Sequence, residues 1–150
     1  MQNIFNQADK EALINRINQL TPTTRPQWGK MNVAQMLAHC NLAPFGQIYK
    51  GTQEKSNALM RLFLRLVVKP VAAGDKPYKK NSPTGPGLKV TTEKDFAEEK
   101  QRLMEYINKT HELGAEYFLD KESPFGKLTK TEWTNLFYKH LNHHLTQFGV

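Results

Sequence analysis

The chain has 150 residues, a formal net charge of +7, 39% hydrophobic residues and 23% charged residues. This length fits one domain with its own core, expected to span residues 1–150. The balanced composition excludes a disordered chain and a transmembrane protein. Positive charge suits nucleic acid or an anionic membrane, but the basic residues are scattered and no nucleic-acid-binding motif accompanies them. We therefore expect neither nucleic-acid binding nor a membrane span.

Two features predict a cytoplasmic location. Cys40 is the single cysteine and cannot form an internal disulfide, which is typical of a reducing compartment. The first residues, MQNIFNQADKEA, lack the charged start and apolar run of a signal peptide. Nothing near Cys40 in the sequence would lower the pKa of its thiol, so a catalytic cysteine is not expected.

Two helices are predicted in the N-terminal part of the chain. Apolar residues recur at helical spacing over residues 8–20. A second helix is expected to begin after Asn32, a good N-cap residue, and to end or kink at Pro44. His39 shares the apolar stripe of this helix with Met36. A histidine in such a stripe is typical of a core residue with one hydrogen-bond partner, and metal binding is the alternative.

Residues 56–71, SNALMRLFLRLVVKPV, are apolar except at Arg61, Arg65 and Lys69, which share one face. This pattern predicts a helix buried on most sides, whose cationic groups reach water or pair with acids. The apolar sides also suit a homodimer interface, and a basic amphipathic helix can lie on a membrane surface. Residues 72–90 are rich in glycine and proline, which predicts a long loop that acts as a lid or binding loop or is mobile.

A long helix is predicted over residues 92–113, with Thr92 and Asp95 as a capping box and Gly114 as its end. His111 near its C-terminus is expected to have a surface or capping role. The connector that follows carries three carboxylates that are candidates for an acid or base near a site, although each also fits a solvated surface charge: Glu116, Asp120 and Glu122.

The C-terminal helix, KTEWTNLFYKHLNHHLTQ, should begin with a capping box formed by Thr129 and Glu132. His140 and His144 lie four residues apart on its apolar stripe. They therefore point the same way, which is typical spacing for two ligands of one metal ion. Capping or solvation of the helix end is the alternative for this pair. His143 falls on a polar flank, where a supporting or solvent-exposed role is expected.

The predicted fold is all-α. No segment alternates between apolar and polar residues as a half-buried strand does, and no internal repeat is visible. Connectors between amphipathic helices favour an antiparallel bundle of four main helices with extra loop segments, in which residues 56–71 form one of the helices.

Three segments resemble the DinB-like (YfiT-like) four-helix-bundle proteins: residues 28–39 (WGKMNVAQMLAH), 124–129 (PFGKLT) and 138–149 (YKHLNHHLTQFG). The resemblance is to an uncharacterised branch of that superfamily and is strongest in the two histidine helices. It implies that His39, His140 and His144 bind a divalent metal ion.

Three imidazoles that leave one coordination position open are typical of a catalytic zinc site, where the cation lowers the pKa of a bound water or thiol. Zinc is favoured, although nickel, iron and manganese also accept imidazole. The resemblance implies a hydrolase, or a transferase that uses a low-molecular-weight thiol, acting on a small-molecule substrate. The alternative is a non-catalytic binding or stress-response module with a structural or vestigial metal site. No catalytic acid or base is assigned.

Overall fold

The computed structural model describes residues 2–51 and 56–150, and these are mostly helical, in agreement with an all-α class. The helices are α1 (Gln7–Gln19), α2 (Val33–Cys40), α3 (Gln47–Tyr49), α4 (Ala58–Phe63), α5 (Lys69–Ala72), α6 (Phe96–Phe118) and α7 (Lys130–Gln147). Wider turns join α2 to α3 at Asn41–Gly46 and α4 to α5 at Leu64–Val68, and a 3₁₀ turn lies at Pro86–Leu88. Two short strands that the sequence patterns did not predict, β1 (Glu122–Ser123) and β2 (Gly126–Lys127), pair antiparallel.

Helix α2 begins at its predicted cap and ends at Cys40, before the predicted Pro44. The Asn32 side chain accepts from the backbone N–H of Gln35, and the Gln35 side chain accepts from the backbone N–H of Asn32. This reciprocal capping satisfies two donors that the helix itself leaves free. At the other end, Ala43 is extended and the Ala43–Pro44 peptide bond is cis, so the helical path is interrupted at the predicted proline.

The predicted N-terminus of α7 is confirmed, and that of α6 is corrected. The predicted capping box of Thr129 and Glu132 is present at the start of α7. Helix α6 instead starts later than expected, because Asp95 is its N-cap and Thr92 lies outside it. The predicted end at Gly114 is instead a kink inside α6, which continues to Phe118. The φ of Gly114, 72°, is a left-handed conformation that glycine adopts without a steric penalty.

Four helices share the core. Helices α1 and α2 each contact α6 and α7, and α6 contacts α7. Three aromatic rings pack together at the centre, with centroids 5.1 to 5.6 Å apart: Phe118, Trp133 and Phe137. Aliphatic side chains from all four helices are fully buried around them: Leu13, Ile17, Met36, Leu37, Leu103, Ile107 and Leu141. Burial of this apolar surface is the main favourable contribution to the fold.

A cation from α1 ties that helix to the C-terminal end of α7. The Arg16 guanidinium donates to Asn142 Oδ1 at 2.7 Å, to Thr146 Oγ1 at 3.1 Å and to the Val150 carbonyl at 2.8 Å. Charge-assisted bonds of this kind are stronger than neutral ones and fix direction as well as distance. They hold the histidine-bearing half of α7 against α1.

Residues 56–71 were predicted to form a helix that is buried on most sides, and this prediction of burial is wrong. Residues 58–72, which comprise α4, the turn Leu64–Val68 and α5, form a helical segment that we call the surface helix. Most of its large apolar side chains are exposed: Leu59 (75%), Met60, Leu62, Phe63, Leu66 (65%), Val67 and Val71. One stripe is partly buried against the rest of the protein: Leu64, Val68 and Ala72. The other helices already enclose the core, so the remaining apolar sides are not covered by the described residues.

None of the described helices is both long enough and apolar enough to cross a membrane.

The contrast in burial predicts opposite effects for two identical substitutions. Leu103→Ala should lower the free energy of unfolding by about 2–5 kcal/mol, because this side chain is 1% exposed and its loss leaves a cavity. Leu59→Ala on the surface helix should change it by less than about 0.5 kcal/mol. Urea unfolding followed by circular dichroism measures both. Equal losses would contradict the described burial of the surface helix.

Candidate metal centre

Helices α2 and α7 bring three predicted ligands together. His39 Nε2 on α2 lies 3.1 Å from His140 Nε2 on α7. The ring of His144, one turn further along α7, lies 4.8 Å from the His39 ring and 4.7 Å from the His140 ring. One ligand nitrogen from each residue can be chosen so that all three lie within 4.8 Å of one another. These three histidines could therefore hold one metal ion.

Burial keeps these imidazoles neutral. His39 and His144 are 4% and 8% exposed, whereas His140 is partly exposed but its Nδ1 is shielded from solvent. Burial lowers the pKa of His39. Burial and the neighbouring histidines lower the pKa of His140 well below its usual value, and burial followed by His39 lowers that of His144 to about 3. Neutral imidazole is the form that binds metal ions.

A backbone carbonyl fixes the tautomer of His39. Its Nδ1 lies 2.9 Å from the carbonyl oxygen of Leu88. A carbonyl can only accept, so Nδ1 carries the proton and donates it. In the neutral ring this leaves a lone pair on Nε2, the nitrogen that faces His140. Such a bond from the far side of the ring is the usual way in which proteins orient a metal-binding histidine.

A second chain of bonds fixes His144. The Gln147 amide nitrogen donates to the carbonyl oxygen of Trp28 at 2.8 Å, so the amide oxygen of Gln147 must face His144. That oxygen lies 2.9 Å from His144 Nδ1 and can only accept, which places the proton on Nδ1. The lone pair of His144 is therefore on Nε2, as it is in His39.

The third histidine supplies a test of whether a cation fits. Without a cation, the Nε2 lone pairs of His39 and His144 both need a hydrogen-bond donor. A proton on His140 Nε2 can be donated to only one of them. Its Nδ1 has no hydrogen-bond partner among the described residues. A cation accepts all three Nε2 lone pairs together. Tetrahedral zinc sites separate their nitrogens by about 3.3 Å, close to the 3.1 Å between His39 and His140. The donor set could therefore hold a metal ion.

Aromatic rings from two loops pack beside the cluster. Tyr78, from the predicted loop over residues 72–90, has its ring centroid 6.3 Å from His140 and 5.5 Å from His143. The ring centroid of Trp28 lies 5.9 Å from that of His143. His143 is thus outside the three-histidine cluster and packs against both aromatic side chains, and its supporting role stays a prediction. Burial, and to a lesser degree His39, lowers its pKa.

Lys139 holds the segment that carries Tyr78. Its Nζ donates to the carbonyl oxygens of Val71 at 2.8 Å, Lys76 at 3.0 Å and Gly74. Partial burial lowers its pKa to about 8, and the charge of Asp75 opposes that shift. Lys139, the residue before His140 on α7, therefore anchors the end of the surface helix and the loop that follows it.

The other predicted candidates lie elsewhere. Within residues 2–51 and 56–150, none of the connector carboxylates Glu116, Asp120 and Glu122 joins the histidine cluster. Glu116 forms an exposed ion pair with Lys130 at 2.8 Å. Cys40 is buried, with Sγ 3.7 Å from the sulfur of Met36, and burial raises the pKa of its thiol. The expectation that Cys40 is not a reactive thiolate agrees with this environment.

His111 is also outside the cluster. Its Nδ1 donates to the Ile4 carbonyl at 3.1 Å, which attaches the N-terminal segment to α6. The predicted surface or capping role is thus replaced by a structural one: α6 continues past His111 to Phe118.

Two surface grooves of the described residues lie away from the histidines. One, of about 480 Å³, lies between α1 and α6 and includes Ile14 and Met104. The other, of about 180 Å³, lies between α2 and α6 and includes Asn41 and Glu99. No histidine of the cluster lines either groove. The cluster itself is accessible to solvent at His140, which is partly exposed.

Sequence reasoning missed the groups that orient the imidazoles. Gln147 had a usable signal, because a residue three positions after His144 lies next to it on the helix surface. The carbonyls of Leu88 and Trp28 carry no signal, because any residue type supplies a carbonyl. Tyr78 stood in a segment without periodicity, where no pattern predicts a position.

Comparison with known proteins identifies a family. The family model described as "Protein of unknown function (DUF1569)" matches residues 3–149, and this range contains all three histidines of the cluster. No curated protein and no solved structure gives a significant match.

Proposed function

The chain belongs to the DUF1569 family of proteins of unknown function, and we propose that it is a metal-dependent enzyme. His39, His140 and His144 hold one divalent cation. The observation that supports this proposal is the convergence of three neutral imidazoles, two of which have their lone pairs directed by Leu88 and Gln147. Converging lone pairs without a shared cation or donor would leave buried polar groups unsatisfied.

Zinc is our first choice of cation, because it takes imidazole readily and three histidines leave its fourth position open. Nickel, iron and manganese are the alternatives. A bound cation would lower the pKa of a water or a low-molecular-weight thiol in that open position. This supports a hydrolase or a thiol-dependent transferase acting on a small molecule. Apart from binding the cation, the chain's own residues orient the imidazoles and, through Tyr78 and Trp28, limit access of water.

We further propose that residues 1–150 form one domain with a DinB-like (YfiT-like) four-helix bundle. The support is that α1, α2, α6 and α7 enclose the core, and that the second and the last of these carry the histidines as the resemblance implies. The surface helix is not one of the four bundle helices, although the sequence had predicted that it would be. The cytoplasmic location and the homodimer stay predictions.

Zinc binding is the first test. Metal-free protein should bind one equivalent of Zn²⁺, and a hundredfold excess of free zinc over the dissociation constant should raise the free energy of unfolding by about 2.7 kcal/mol. His140→Ala should weaken binding by more than about 100-fold, because it removes a ligand. Isothermal calorimetry and urea unfolding with and without zinc measure these effects.

The matched control is His111→Ala, which removes a histidine outside the cluster and should leave zinc affinity unchanged. Circular dichroism of both metal-free variants verifies that they are folded. If the unsubstituted protein takes up no stoichiometric zinc, or if His111→Ala weakens binding as much as His140→Ala, the proposed centre is wrong.

Gln147 should affect metal affinity without touching the metal. Gln147→Leu removes the acceptor for His144 Nδ1–H and frees that ring to rotate, so zinc affinity should fall by about 10- to 100-fold. Gln101→Leu, which removes an exposed amide that donates to Glu105, is the control and should have no effect. Competition titration with a chromophoric chelator measures both. An unchanged affinity in Gln147→Leu would mean that its bond does not orient the ring.

An open coordination position separates the enzyme from the alternative of a non-catalytic module with a structural site. In the Co²⁺-substituted protein, a small thiol should add a sulfur-to-metal charge-transfer band, and azide should alter the visible spectrum. A closed site with a fourth protein ligand would leave both spectra unchanged. That result would favour the structural role while leaving metal binding intact.

A further inference from the structure

The surface helix presents an apolar face that the described residues do not cover. Seven large apolar side chains on residues 58–72 are exposed, among them Leu59, Phe63 and Leu66 at 75%, 50% and 65%. Scattered exposed apolar residues are common on folded proteins, but a contiguous set on one helix marks a binding surface. The partly buried stripe of Leu64, Val68 and Ala72 attaches the helix to the protein and leaves its other sides free.

The charges of this segment all have one sign. Between Ser56 and Gly74 the chain contains three basic residues and no acidic one, and Lys76, Lys79 and Lys80 follow. Asp75 is the one carboxylate in the stretch, and it accepts a hydrogen bond from Asn135 at 2.9 Å. A partner for this segment is therefore apolar at its centre and negative at its edge.

Two of the basic groups are available to such a partner. Lys69 pairs with Glu132 at 2.9 Å and so faces the protein. Arg61 and Arg65 are exposed on the same side of the helix and take part in none of the ion pairs found within the described ranges. Long arginine side chains can extend along an apolar surface and place their charges at its border.

We propose that the surface helix docks, in the plane of the interface, onto an anionic phospholipid bilayer. Its apolar side chains enter the boundary of the acyl chains while Arg61 and Arg65 reach lipid phosphates. A helix that lies on a bilayer in this way needs no membrane-spanning length. This surface does not depend on the proposed metal centre.

A second copy of the chain fits the surface less well. In a two-fold contact the same face meets itself, so the basic flanks of two copies would have no carboxylate on the facing segment to pair with. Like charges placed together in this way oppose association. An anionic lipid surface satisfies both the apolar face and the charge.

Co-sedimentation with lipid vesicles tests the proposal. The full chain should sediment with vesicles of phosphatidylcholine and phosphatidylserine, and much less with phosphatidylcholine alone. Added salt should weaken the binding. The double variant Arg61→Gln, Arg65→Gln should bind anionic vesicles about 30-fold more weakly. Phe63→Gln with Leu66→Gln should weaken binding on the order of 100-fold or more, because two inserted side chains are lost.

Matched controls change the same chemistry elsewhere. Arg25→Gln with Lys94→Gln removes two exposed positive charges outside the surface helix. Tyr117→Gln with Leu119→Gln removes one aromatic and one leucine side chain that are exposed on and just after α6. Neither control should reduce vesicle binding by more than a few-fold. Circular dichroism verifies that every variant is folded.

Three results would overturn the proposal. The first is no sedimentation with anionic vesicles at low salt, and the second is an equal loss of binding in the controls. The third is a dimer, measured by sedimentation velocity without lipid, that Phe63→Gln with Leu66→Gln dissociates while vesicles do not bind. That result would assign the face to a second copy of the chain.

Discussion

His39 Nε2 and His140 Nε2 lie 3.1 Å apart where α2 packs against α7, and the neighbouring segments are arranged around this contact. Close to the two imidazoles in sequence, Met36 and Leu141 are fully buried, so apolar packing fixes the separation of the two helices. A buried polar group without a partner costs about 1–3 kcal/mol. Charging such a ring would cost more, which is why burial lowers the pKa of both histidines.

Packing sets the distance between the rings, and two loops set their orientation. The loop before α2 is docked on the end of α7 by two bonds: the Gln27 backbone N–H donates to the Gln147 carbonyl at 2.7 Å, and the Gln147 amide donates to the Trp28 carbonyl. Gly29 permits this approach, because its φ is +86° and a Cβ there would collide with the Gln147 amide. The loop therefore acts on His144 through Gln147.

Local patterns predicted the elements and part of the site. Two features of α7 depend only on neighbouring residues in one helix: the spacing of His140 and His144, and the capping box at Thr129. Sequence alone was therefore sufficient to predict both features. His39 is different: its apolar stripe favoured a core residue over a metal ligand, and the resemblance supplied its pairing with α7. Its carbonyl partner lies 49 residues away, and the Trp28–Gln147 bond spans 119 residues. Such contacts arise from the packed fold and leave no periodic signal.

The misjudged burial of the surface helix has a related cause, and it bears on the site. The hydrophobicity of a helix indicates that it can pack against apolar partners. It does not indicate how much of the core surface the other helices leave uncovered. Here α1, α2, α6 and α7 take those sides, and the surface helix packs through a single stripe. Its C-terminal end is nevertheless fixed, because Lys139 binds the Val71 carbonyl next to His140. The loop that begins there carries Tyr78 to the rings of His140 and His143. The exposed apolar face and the histidine cluster therefore lie on connected segments, because the ion pair of Lys69 with Glu132 and the bond from Lys139 to Val71 both attach the C-terminal end of the surface helix to α7.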